Sequence, residues 1–127
     1  MKQFSRADVV DLMNYTDIYV HPAVVELEGI ACIEALACQK LTIVSDSKKS
    51  ATKSFVSSKR CIFKHKNPRD LAKKIDYFIE HEDMKKKIED SYKAFADDYS
   101  VEKCMEKMEQ MILETKAKKE QSMSKNK

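Results

Sequence analysis

One glycine, two prolines and no tryptophan occur in the 127 residues of this chain. Any place where backbone must approach a ligand without a Cβ in the way is therefore confined to Gly29. The four cysteines, Cys32, Cys38, Cys61 and Cys104, contain no C-x-x-C pair. That argues against a zinc site and for reduced thiols, most of them among apolar or amphipathic neighbours, in a reducing cytosol. No charged-then-apolar leader is visible over positions 1–7, and no apolar run approaches the roughly 18–20 residues of a membrane span. Neither sign of charge dominates: 24 Lys and Arg against 21 Asp and Glu leave +3 and a pI near 8.6. Such a balance does not require nucleic acid as a partner. No internal repeat is visible, and the length suits one modest core rather than two domains.

What is present alternates between short β-type runs and longer helical patterns. Ser5 with Asp8 three positions later reads as a capping box, followed by Val9, Val10, Leu12 and Met13, so a helix is expected from about Ser5 to Tyr15. Asp17 to Val20 is a four-residue strand closed by His21-Pro22. A helix over about Gly29–Gln39 is apolar on nearly all sides and is expected to be buried. Leu41 to Val44 is a second strand, after which Ser45-Asp46-Ser47 caps a helix over about Lys49–Val56. Cys61 to Phe63 is a weaker third strand. Asn67-Pro68-Arg69-Asp70 starts a helix whose face is Leu71, Ile75, Phe78 and Ile79. Met84, Ile88, Tyr92 and Phe95 mark a charged surface helix over 82–99. Val101, Cys104, Met105, Met108, Met111 and Ile112 mark another over 100–116, and 117–127 reads as a disordered basic tail.

Strands separated by helical spacers argue an α/β protein with a parallel sheet. Three strands are fewer than the five or six of a doubly wound nucleotide-binding sheet, so the expectation is a partial one, Rossmann-like, with flanking helices and a helical C-terminus. In such a sheet ligands bind beyond the carboxyl ends of the strands, where loops offer free N–H groups and a helix presents the positive end of its dipole. The loop from His21 to Gly29 follows that design, with the amides of Ile30, Ala31 and Cys32 as donors to a diphosphate. Glu34 is the single carboxylate in an otherwise apolar helix, and a buried charge needs a partner. A ribose diol offers two hydroxyls to two carboxylate oxygens. Plainer readings stay open: Glu34 pairing with Lys40 or turned to a rim, Glu26 and Glu28 merely solvated, His21 bonded to backbone at a strand end. The last helix can equally be the contact surface of a non-enzymatic protein-interaction module.

The run Thr16-Asp17-Ile18-Tyr19-Val20-His21-Pro22-Ala23, then Glu26-x-x-Gly29-x-x-x-x-Glu34-Ala35-Leu36-Ala37-Cys38, then Thr42-Ile43-Val44-Ser45-Asp46, resembles the donor-binding domain of retaining GT-B-type glycosyltransferases of family 4. Two glutamates with seven residues between them are that family's signature. Ser50-Ala51, Phe63 and Asp70-Leu71-Ala72-x-x-Ile75 continue the likeness. His-Pro-Ala, Ser-Ala-Thr and Lys74-Ile75-Asp76-Tyr77 look closest to bacterial glucosyltransferases that build glycolipids on diacylglycerol.

The resemblance implies transfer of a hexose, glucose above all, from a nucleotide sugar such as UDP-glucose, with no metal and no cofactor. It implies that Glu26 acts at the transferred sugar, that His21, Gly29, Ile30 and Ala31 lie along sugar and phosphate, and that Glu34 binds the ribose. Gln39-Lys40-Leu41 departs from the Gly and Pro usual after Ala-Cys, which puts the turn before the second strand in question. The family's basic pair and its acceptor-binding domain have no counterpart in these residues, so the expectation is a donor-binding fragment, 1–99, completed by an N-terminal domain or a separately encoded partner and inactive alone. Basic residues beside the last helix add peripheral contact with anionic lipid at the inner face of the plasma membrane.

Overall fold

The computed structural model describes residues 4–125. The outermost positions of the first and last expected segments, 1–3 and 126–127, lie outside them. The chain divides between Phe95 and Ala96 into two compact units.

The first unit is the expected α/β layer. α1 (Arg6–Tyr15) starts on Ser5, whose hydroxyl accepts from the Asp8 N–H while the Asp8 carboxylate accepts from the Ser5 N–H at 2.8 Å. Three parallel strands follow: β1 (Ile18–His21), β3 (Leu41–Ser45) and β5 (Ile62–Phe63), in the order β1-β3-β5. Ile18 pairs with Leu41 and His21 with Val44; Val44 in turn pairs with Ile62. All five residues of β3 are buried, as a central parallel strand covered on both faces should be. α2 (Ile30–Ala37) is the crossover between β1 and β3. α3 (Pro68–Glu80) and α4 (Glu82–Ser91) complete the layer, with Asn67 as N-cap of α3 and the Glu89 carboxylate accepting from the Leu41 N–H at 3.2 Å. Cys32, Leu36, Leu41, Ile43, Val44, Cys61, Phe63, Phe78, Ile88 and Tyr92 form one core. Among the described residues β1 is an edge strand, and a groove along it is lined by Ile18, Val20, Ile75, Phe78 and Ile79, with Asp17 and Lys85 paired at 3.6 Å.

Four expectations change. The helix expected over 82–99 is two, α4 and α5 (Lys93–Asp98), with Tyr92 between them. Residues 49–56 are not a helix. Lys49–Ser50 is a two-residue strand, β4, paired in parallel with β2 (Val25–Glu26), and a single 3₁₀ turn, Thr52–Ser54, follows. Serines decide this. Ser45 and Ser47 hydroxyls donate to the carbonyls of Ala23 and Val24, both at 2.5 Å, and the Ala51 N–H donates to the Glu26 carbonyl at 3.0 Å, so the loop after β3 is spent on holding the loop after β1. α2 is not buried all round: Cys32, Ala35 and Leu36 are, whereas Ile30 is 59% exposed at its start.

The second unit holds α6 (Val101–Lys125), reached through α5 (Lys93–Asp98). α6 is one continuous helix, past the boundary expected at 116 and through the stretch 117–125 expected to be disordered. Its side chains up to Met123 are exposed. Composition counted what 117–125 could bury, and helical propensity with i, i+4 contacts needs no burial.

The departure at Gln39 leaves the turn intact. Gln39 adopts φ 56°, its N–H donates to the Leu36 carbonyl at 2.9 Å and the Lys40 N–H to the Ala35 carbonyl at 3.0 Å, the paired closure that usually carries glycine.

Candidate functional site

The candidate residues meet at the carboxyl end of β1. His21 is the last residue of that strand and is buried; its Nδ1 lies 3.1 Å from the Tyr19 hydroxyl and its Nε2 3.5 Å from Glu26 Oε2. The other oxygen of Glu26 accepts the Gly29 N–H at 3.1 Å. That amide, with help from His21, holds the Glu26 carboxyl below the usual carboxylate range, so it stands ionised at neutral pH.

Gly29 is the N-cap of α2 in the left-handed region, φ 65° and ψ 38°. A Cβ there would lie 2.7 Å from Thr52 Cγ2 and 3.1 Å from the Phe55 ring. Glycine is required on both counts, conformation and space. No side chain caps the helix, so the N-terminal amides of α2 have no side-chain acceptor at the positive end of the dipole. Ile30 and Ala31 are exposed there.

Glu34 lies one turn further on and is half-buried. Lys40, one possible partner, donates instead to the Asn14 carbonyl at 3.0 Å, and among the described residues no ion pair reaches Glu34. Burial, with the Cys32, Glu34 and Glu26 side chains nearby, pushes the Tyr19 phenol up. Burial, with Glu26 again nearby, pushes the Cys32 thiol up to about 12. Tyr19 is thus the side chain that senses both glutamates.

His21, Glu26 and Gly29 are therefore in direct contact, Ile30 and Ala31 follow as the open helix start, and Glu34 stands beside them. Sequence reasoning missed five contributors. Tyr19 touches His21, a contact legible in the i, i+2 alternation of a strand. Thr52 and Phe55 press on Gly29, and Ser45 with Ser47 anchors the loop; no local signal marks these, because they come from a distant turn. Asp46 at the next strand end accepts from the backbone N–H of His65 and meets its Nδ1, both at 2.7 Å, tying the loops after β3 and β5 together. Those two bonds lower the Asp46 carboxyl. Among the described residues no cluster of three or more His, Cys, Asp or Glu is arranged to hold a metal ion, and no helix is long and apolar enough to cross a membrane.

Residues 1–95 match the model of the family described as "Glycosyl transferases group 1". This chain belongs to that family. One relative of the glycosyltransferase domain is the N,N'-diacetylbacillosaminyl-diphospho-undecaprenol alpha-1,3-N-acetylgalactosaminyltransferase of Campylobacter jejuni, 32% identical over 81 residues. That alignment covers 64% of this chain and 22% of the relative. The catalytic domain of cholesterol-alpha-glucosyltransferase from Helicobacter pylori is similar in structure, with a TM-score of 0.72 and 30% identity over 76% of this chain and 61% of that one. The glycosyltransferase chain thus spans about a fifth of the curated relative and three fifths of the solved one. Its parallel three-stranded sheet with flanking helices is similar to a GT-B domain.

Proposed function

We propose that this glycosyltransferase domain binds the nucleotide-sugar donor of a hexosyl transfer, with UDP-glucose as the donor, Glu34 on the ribose diol and Glu26 at the transferred sugar. The observation that carries this reading is the convergence at one strand end of an ionised Glu26, an uncapped helix N-terminus behind an obligatory glycine, and a half-buried Glu34 that no ion pair reaches among the described residues. A diphosphate suits the free amides and the helix dipole, and a diol suits an unpaired carboxylate.

The chemistry such a site supports is positioning, together with stabilisation of charge on the departing diphosphate and on an oxocarbenium-like sugar. No side chain in it has to attack covalently. The two relatives are named for acting on an undecaprenol-linked diphosphate saccharide and on cholesterol. Both acceptors are lipids, which supports a membrane-lipid acceptor, diacylglycerol among the candidates, and peripheral contact with the inner face of the plasma membrane. The cations opposite the diphosphate and the acceptor site are to be supplied by polypeptide outside these residues, in the same chain or a partner.

Titration calorimetry with UDP and UDP-glucose tests the reading, on this chain alone and with any glycosyltransferase-like polypeptide encoded beside it. Saturable binding that Glu34→Ala weakens about tenfold or more is the expected result. A folded chain that binds neither ligand in either setting overturns it.

A further inference from the structure

Tyr19 and His21 leave the same face of β1, two residues apart. The Tyr19 Oη lies 3.1 Å from His21 Nδ1, and the rings are tilted by 34° with centroids 6.1 Å apart. The opposite ring nitrogen, Nε2, is buried, makes no hydrogen bond and faces Glu26 Oε2 at 3.5 Å. The second Glu26 oxygen is already engaged by the Gly29 N–H.

A hydroxyl and a neutral imidazole can share their proton in two senses. If His21 donated from Nδ1, the lone pair of Nε2 would point at an ionised carboxylate, two acceptors opposed in a buried place. If Tyr19 donates, Nδ1 accepts, Nε2 carries the proton and turns it toward Glu26. The phenol, pushed up by burial and by its acidic neighbours, keeps its proton to give. In the second arrangement a donor faces an acceptor at every step from Tyr19 through His21 and Glu26 to Gly29.

We infer that Tyr19 is a positioning residue of the donor site: its hydroxyl holds His21 in the Nε2–H tautomer, and that N–H and the Gly29 amide together fix the carboxylate that Glu26 presents to the sugar. The tautomer follows from the geometry alone. Only the step to the sugar rests on the donor-binding reading.

The first measurement needs no ligand. Long-range proton–nitrogen NMR of the His21 ring, recorded where the spectrum shows a single ring proton on nitrogen, is expected to show that proton on Nε2. In Tyr19→Phe, which keeps the aromatic packing, the ring is expected to become a mixture of tautomers. A proton on Nδ1 in the native chain, or an unchanged ring in Tyr19→Phe, overturns the inference.

The second measurement separates positioning from fold. Tyr19→Phe is expected to weaken UDP-glucose about tenfold and UDP, which lacks the hexose, less than about twofold. In a His21→Gln background the same substitution is expected to add nothing, because its effect passes through the ring. Equal losses for both ligands, no loss for either, or additive effects in the double variant overturn the positioning role. A native chain that binds neither ligand overturns the step from Glu26 to the sugar, and the NMR result then decides the tautomer by itself.

Discussion

The loop from His21 to Gly29 and the helix α6 treat exposure in opposite ways. In the loop, polar groups are gathered and nearly every one is assigned: Glu26 to Gly29 and His21, His21 to Tyr19, the carbonyls of Ala23 and Val24 to Ser45 and Ser47. In α6, Val101, Met105, Met108, Met111 and Ile112 are between 45% and 73% exposed. The first region depends on long-range contacts for its geometry, so single substitutions should act through the fold and the site together. The second is held by its own backbone bonds, so its side chains can change with little effect on the first unit.

Thiol chemistry should show the contrast most strongly. Cys104 is exposed on α6, whereas Cys32 and Cys61 are buried and their thiols are raised to about 12 and about 11 by that burial. In the native chain Cys104 is expected to react with a disulfide reagent at least ~10³-fold faster than Cys32 or Cys61, which should react only on unfolding. Comparable rates, followed by mass spectrometry, would break the distinction between a packed unit and an open helix.

Gly29→Ala comes next. It adds a left-handed φ to an overlap with Thr52 and Phe55 and is expected to cost about 3 kcal/mol in denaturant unfolding of the first unit. A loss below about 1 kcal/mol would mean that the loop is not pinned by the turn after β4. Glu34→Ala should leave the unfolding midpoint where it is, because no ion pair is lost, and weaken nucleotide binding about tenfold or more. The reverse pattern, lost stability with intact binding, would make Glu34 a packing residue.

Acid should sharpen the picture from the loop side. Glu26 and Asp46 have carboxyls lowered by backbone N–H groups in the folded chain. A group lowered on folding contributes stability above its unfolded pKa, and that contribution is lost as pH falls through its folded pKa. The unfolding midpoint should therefore stay level down to about pH 5 and fall below about pH 4. Asp46→Asn should make the fall shallower; an unchanged acid limb would show that the tie to His65 carries no linkage. The smallest effect belongs to α6. Met108→Ser is expected to change stability of the first unit by less than about 0.5 kcal/mol in the same assay, and a larger loss would contradict its exposed placement.

Local signals made much of the fold legible. The Ser5 capping box, the Asn67-Pro68 start, the β-branched Leu41–Val44 run and the helical face of Leu71, Ile75 and Phe78 all act over three or four residues. The last helix was legible in its apolar stripe but not in its length, because burial was the criterion and α6 forms without it. The failure at 49–56 has a different cause. Ser45-Asp46-Ser47 reads as a helix cap, yet the Ser45 and Ser47 hydroxyls donate to the carbonyls of Ala23 and Val24, a choice decided by where the loop after β1 lies. At the candidate site, Gly29, Glu26, Glu34 and His21 stood out by residue type and spacing. Thr52 and Phe55 did not, since nothing in their own neighbourhood announces contact with residue 29.

By itself the sequence determined where α1, α2 and α3 begin, that the runs of β1, β3 and β5 become strands, and that the one glycine falls between two glutamates at a strand-to-helix turn. Those are properties of near neighbours, set by capping, side-chain period and the steric freedom of one residue. Only the tertiary structure decided that the Glu26 carboxylate accepts the Gly29 N–H, that Lys40 donates to the Asn14 carbonyl, and that the Tyr19 hydroxyl meets His21 Nδ1. Each of these depends on which of several competing partners lies within about 3 Å once the chain is packed, a choice that separation along the sequence does not encode.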